Sequence, residues 1–132
     1  RSEADRRASV VATILAYDGC DTCRRARRFL DGRGVALKVR PIVAEPPTEA
    51  ELAAWVPQSG LPLRKWLNTS GQSYRALGKD AIAAADDATL RRWLAADGKL
   101  VKRPVLLLQS PNAAKILVGF DEDAYAAALS AP

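Results

Sequence analysis

The chain has 132 residues, 48% of them apolar, with 20 Lys and Arg against 15 Asp and Glu for a formal charge of +5, two cysteines and no histidine. That length fits one domain with a core of its own, and no apolar run approaches the ~20 residues needed to cross a bilayer. Two cysteines without a histidine fall short of the about four ligands of a structural zinc site, so no metal is expected. The basic excess gathers at Arg24, Arg25, Arg27 and Arg28, which reads equally as a solvated helix face or an anion-attracting surface; direct nucleic-acid binding is not expected.

Residues 1–9 are charged and lack the apolar centre of a secretory signal; they are expected to form a loose tail, and the protein to be cytoplasmic. Val10 to Tyr17 is a nearly unbroken apolar run with β-branched members, the pattern of a strand buried on both faces. Asp18-Gly19 breaks it. From Cys20 the apolar positions Cys23, Ala26 and Leu30 keep helical spacing until Gly32 and Gly34. Val35 to Val43 is a second strand, so the first unit is strand, helix, strand, and strands joined by a helical crossover lie parallel.

Glu45-Pro46-Pro47 interrupts the chain, and Thr48-Glu49-Ala50-Glu51 has the form of a capping box. The helix that follows carries Leu52, Trp55 and Val56 and is expected to stop at Pro57 and Gly60. Leu63, Trp66 and Leu67 suggest a short helix before the turn residues Asn68-Thr69-Ser70-Gly71. Asp86 or Asp87 can cap a helix bearing Leu90, Trp93 and Leu94. The three tryptophans fall at core spacing, which favours packing over a stacking role. Val101 to Gln109 returns to strand character, Ser110-Pro111-Asn112 is a turn, and Ile116 to Val118 is the partner strand of a hairpin. Asp121 can cap the last helix, with Tyr125 and Leu129 one turn apart. The order is βαβ, a helical block, then ββα. That is an α/β thioredoxin-like fold with a mixed four-stranded sheet, one domain over residues 10–130 with a helical insertion at about 45–100.

The chemistry centres on Cys20-Asp21-Thr22-Cys23. A C-x-x-C between a strand pattern and a helix pattern reads as a thiol redox site of thioredoxin type. A thiolate in the first helical turn is stabilised by free N–H groups and the helix dipole, and Cys23 lies one turn later, within reach of a disulfide formed at Cys20. Arg24 and Arg27, four and seven residues after Cys20, are candidates to lower its pKa and hold an oxyanion. A structural disulfide and a pair of inert buried thiols are the competing readings.

Four segments in order, Tyr17 to Arg27, Leu67 to Gly71 with Tyr74 to Gly78, Leu100 to Val105, and Leu117 to Asp121, resemble the arsenate reductase and Spx-like family over about residues 10 to 130. The resemblance implies a thioredoxin-like fold with a helical insertion, Cys20 as nucleophile, Cys23 as resolving thiol, and Arg103 as the arginine beside the active site, preceding a cis Pro104. A planar guanidinium can bind two oxyanion oxygens at once. Two further family arginines are replaced here by Asn68 and by the Gly119 region, and Arg24, Arg27, Arg64 or Arg75 are the candidates to supply that charge. The implied activity is reduction of arsenate to arsenite through the C-x-x-C relay. No bound cofactor is implied; the disulfide would be recycled by an external thiol reductant, thioredoxin or glutaredoxin with glutathione. The same features fit an Spx-like redox-sensing regulator that binds the RNA polymerase alpha subunit, and a general thiol-disulfide reductase. A monomer is expected.

Overall fold

The apolar run after Val10 folds as β1, Val11–Ala16, in which Ile14, Leu15 and Ala16 are buried in succession. The structure, a computed structural model, describes residues 10–110 and 113–130. The tail expected over residues 1–9, and the residues at 111–112 of the expected turn, lie outside that description. Contacts divide the chain into two compact units. One holds the residues up to Arg40 and those from Arg103 onward, the other Pro41–Lys102.

In the first unit β1 leads into α1, Asp21–Gly32, whose buried stripe Cys23, Ala26 and Leu30 repeats at helical spacing. β2, Leu37–Pro41, is shorter than the Val35–Val43 expected, because Ile42 to Ala44 turn away and only Ile42 of that stretch is buried. β3, Val105–Ser110, and β4, Ala113–Val118, form an antiparallel hairpin pairing Val105 with Val118 and Ser110 with Ala113. β4 is thus longer than the three residues expected. The sheet order is β2-β1-β3-β4, with β1 antiparallel to β3. Because the sheet is mixed, the parallel pair is β1 with β2. α2 through α5 belong to the second unit; α6, Glu122–Ser130, closes the first.

α6 is capped as its sequence suggests: Asp121 Oδ1 accepts from the N–H groups of Asp123 and Ala124 at 2.9 and 3.2 Å. Its Tyr125 joins Ile14, Cys23, Ala26, Leu30, Leu106 and Leu108 in one core. Burying each of the larger side chains contributes about 1.5–3 kcal/mol. Tyr125, Phe29 and Phe120 meet edge to face, with centroids 4.9 to 6.2 Å apart.

The second unit begins with α2, Glu49–Ser59, closed by the expected capping box: Glu51 N–H donates to Thr48 Oγ1 at 3.0 Å and Thr48 N–H to Glu51 Oε1 at 2.9 Å. Pro57 does not stop this helix; it lies inside it, and Gly60 ends it three residues later. Leu63–Trp66 is a single 3-10 turn, and Leu67 instead forms an isolated bridge with Val101. That bridge also explains why the strand expected from Val101 starts only at Val105. Trp66 is fully buried and its indole donates to Ser59 Oγ at 3.3 Å, whereas Trp55 and Trp93 are half-buried.

Two helices had no counterpart in the sequence reading: α3, Gln72–Leu77, and α4, Lys79–Ala84. They have six residues each; α3 buries none and α4 only Ile82, so neither writes an apolar period. Arg64 closes the end of α4 by donating to the carbonyls of Ile82 and Ala85. α5, Asp87–Ala96, is capped by Asp86, which accepts from Thr89 N–H at 2.8 Å, and a 3-10 turn at Gly98–Leu100 follows. Among the described residues no helix is long and apolar enough to cross a membrane.

Candidate active site

Cys20 is not the first helical residue but the N-cap of α1, in extended conformation, with its N–H donating to the Tyr17 carbonyl at 3.0 Å. This places Sγ over the open end of the helix, where the Cys23 N–H donates to it at 3.3 Å. The free N–H groups and the dipole both favour a negative sulfur there. Cys20 is half-buried and Cys23 is 1% exposed; both are free thiols.

The two sulfurs are driven apart in acidity. Partial burial pushes the Cys20 thiol up, but hydrogen bonds from the Cys23 thiol and backbone, then a hydrogen bond and the charge of Arg103, outweigh it and hold Cys20 below the ordinary thiol value. Burial pushes Cys23 up to about 12, helped by its hydrogen bond to Cys20 and the negative Cys20, against smaller opposing effects of a Tyr17 backbone hydrogen bond and of Arg103. Cys20 is therefore the more acidic of the two thiols and Cys23 the less acidic. Tyr125 behind them is also raised, by burial and then by Cys23, and its hydroxyl donates to the Gly119 carbonyl at 2.8 Å.

Arg103 stands immediately before β3, and the Arg103–Pro104 bond is cis, as the resemblance implies. Pro104 is buried and its carbonyl accepts the Gly119 N–H at 2.8 Å. Gly119 turns the chain at φ +84°, a backbone open to glycine and strained for other residues. Among the described residues, Arg103 Nη1 is the one buried side-chain nitrogen or oxygen with no hydrogen-bond partner. A guanidinium nitrogen withdrawn from water and unpaired is costly, and an anion bound there would satisfy it.

The other predicted residues fall elsewhere. Arg24 donates to the Asp18 carbonyl at 2.7 Å and pairs with Asp21 at 3.5 Å, and Arg27 pairs with Asp18 at 3.8 Å. These are exposed contacts of small energy. The cation acting on Cys20 is Arg103; the i+4 and i+7 arginines are engaged by acids at the helix start. Arg75 donates to the Ser70 carbonyl at 2.9 Å. Asn68 lies in the helical unit, where its N–H and side-chain amide donate to the carbonyls of Leu100 and Lys99 at 2.7 and 3.2 Å and its Oδ1 accepts from Ser70. Among the described residues no group of three or more His, Cys, Asp or Glu could hold a metal. Tyr17 is the residue that spacing missed: its ring lies over the Arg103 guanidinium, 5.2 Å from centroid to Cζ. An aromatic residue ending a strand just before the thiol was the available signal.

Comparison with known proteins places this geometry in a family. The chain is 37% identical to the uncharacterized protein YusI of Bacillus subtilis over 114 residues, 86% of this chain and 93% of that one. A solved structure described as a possible arsenate reductase of Streptococcus mutans matches with a TM-score of 0.75 and 38% identity, over 88% of this chain and 98% of that chain. SACOL0876 of Staphylococcus aureus matches with a TM-score of 0.73 and 34% identity, over 87% and 95%. These matches bear out the thioredoxin-like α/β fold with a mixed four-stranded sheet. Residues 15–128 match the model of the ArsC family, and the chain belongs to that family.

Proposed function

We propose that this protein is an arsenate reductase-like thiol oxidoreductase that reduces arsenate to arsenite through Cys20 and Cys23. The observation that carries the reading is the unpartnered, buried Arg103 Nη1 on the guanidinium that helps to lower the Cys20 pKa. It supplies charge and a free donor where an oxyanion must sit to be attacked.

The Cys20 thiolate attacks arsenic(V), forming a sulfur–arsenic bond as one arsenate oxygen leaves as water. Cys23 sulfur then attacks Cys20 Sγ, closing a disulfide. The electron pair of the broken sulfur–arsenic bond stays on arsenic, which leaves as arsenite, arsenic(III). Each turnover oxidises two thiols and reduces arsenic by two electrons, and an external dithiol, thioredoxin or glutaredoxin with glutathione, reopens the disulfide. The acidity order suits the sequence of steps. Cys20 is held lower and Cys23 higher; once Cys20 is bonded to arsenic, the thiolate charge and the hydrogen bond that add to the burial raising Cys23 are gone, which eases its ionisation and attack.

The test is arsenate-dependent oxidation of NADPH with the thioredoxin system and, separately, with the glutaredoxin–glutathione system. Arsenite should appear in equal amount to reductant consumed. No arsenate-dependent consumption with either system refutes the reading. Reduction of a mixed disulfide with no effect of arsenate would replace it with a general thiol-disulfide reductase.

A further inference from the structure

Three observations converge on Tyr17, which no step above uses. Its ring lies on the Arg103 guanidinium, with 5.2 Å between centroid and Cζ. The same ring folds back over the Asp18-Gly19 turn, so that a Cβ on Gly19 would stand 2.6 Å from Cε2, 3.1 Å from Cζ and 3.3 Å from the hydroxyl oxygen. Its carbonyl accepts the Cys20 N–H at 3.0 Å, so the residue that carries the ring also anchors the nucleophile. Burial alone does not explain the ring's place, because Tyr17 remains 37% exposed.

We propose that Tyr17 is a positioning residue that holds the Arg103 guanidinium against Cys20, and that a Cβ at residue 19 would displace its ring from that place. Arginine is a long side chain with many rotamers, and a guanidinium facing an aromatic ring is attracted by the ring's negative face. The ring narrows those rotamers to the one that meets the sulfur. The titratable and charged groups that act on Cys20 are Cys23 from α1 and Arg103 from the segment before β3. Tyr17 works through the second of these. The consequence for anion affinity rests on the function proposed above; the consequence for the thiolate does not.

The experiment is the pH dependence of Cys20 alkylation by iodoacetamide in the reduced protein, read by peptide mass spectrometry and accompanied by a thermal melt. Tyr17→Phe, which keeps the ring, should retain the original profile. Tyr17→Leu and Gly19→Ala should each move the midpoint upward by roughly half a pH unit or more, the size expected when an exposed cation–π contact is lost. In an Arg103→Met background, Tyr17→Leu should add no further shift. An unmoved midpoint in folded Tyr17→Leu and Gly19→Ala proteins overturns the proposal, as does an equal shift with Arg103 already gone. Should Tyr17→Leu fail to fold, Gly19→Ala decides alone, since it removes no side chain and displaces only the partly exposed end of a ring. No arsenate enters the measurement, so an inactive reductase would leave this inference standing.

Discussion

The sheet unit and the helical unit differ in what they do with particular polar groups. In the helical unit Thr48 and Glu51 cap each other, Asp86 takes the Thr89 N–H, Arg64 closes α4, and Asn68 is hydrogen-bonded through backbone and side chain. In the sheet unit the end of α1 is capped by a sulfur, and the buried Arg103 Nη1 is left without a partner. Satisfied polar groups give stability, while an unsatisfied one, held in place by a folded core, gives a site something to bind with. The open guanidinium nitrogen, and not the satisfied caps, marks where chemistry is to be sought.

Substitutions can break or sharpen that contrast. The largest effect is expected from Cys20→Ser, which should lower arsenate-dependent turnover by about 10³-fold or more, while Cys23→Ser should leave the first step intact and trap the adduct, visible by intact-protein mass spectrometry. Leu94→Ala, in the core of the helical unit, should cost about 2–5 kcal/mol in urea unfolding. The contrast fails if the folded variant also shows an altered Cys20 profile. Arg103→Lys keeps the charge but loses the fork, and should raise KM for the oxyanion by about 10²-fold more than it lowers the fraction of thiolate. Smallest is Thr48→Ala, expected to cost about 1 kcal/mol of stability with no change in activity. Asn68→Ala should behave in the same way, and a large rise in KM would show that its amide is not confined to the contacts described.

The pH behaviour follows from the signs of the two shifts. Cys20 is lowered, so the midpoint of its alkylation profile should lie on the acid side of an ordinary thiol's, and the rate should fall as more acidic solution protonates it. Cys23 is raised, so it should stay unreactive until pH approaches about 12. Equal profiles for the two thiols would remove the division of labour between nucleophile and resolving group.

What the sequence made legible was whatever a local rule governs. The caps at Thr48, Asp86 and Asp121 need only the next few residues, and the C-x-x-C with its buried stripe Cys23, Ala26 and Leu30 needs only helical spacing. Spacing failed for α3 and α4, which are too short to write a period. At Arg24 and Arg27 it left the side chains open: helical geometry tells on which side a Cα lies, but not which of several neighbours a long side chain will choose, and here they reach Asp18 and Asp21. Arg103 was reached through the family resemblance, because nothing local to Lys102-Arg103-Pro104 announces that the fold will bring it to Cys20. The Tyr17 contact spans a similar stretch of sequence, and its one local signal was an aromatic residue just before the thiol.

Gly119 joins two parts of this site: its N–H holds the Pro104 carbonyl beside Arg103, and its carbonyl holds the Tyr125 hydroxyl behind Cys23. Cys20 and Cys23, whose hydrogen bonds do most to lower the Cys20 pKa, are thus encoded early in the chain, and Arg103, which adds to that lowering, is encoded late. A ribosome builds the protein from its N-terminus, so Cys20 emerges before Arg103, before the β3–β4 hairpin and before the glycine that ties the hairpin to α6. Until those residues follow, the cysteine lacks the guanidinium's share of its activation and behaves more like an ordinary thiol. The guanidinium's share of the lowering arrives only with the folded product.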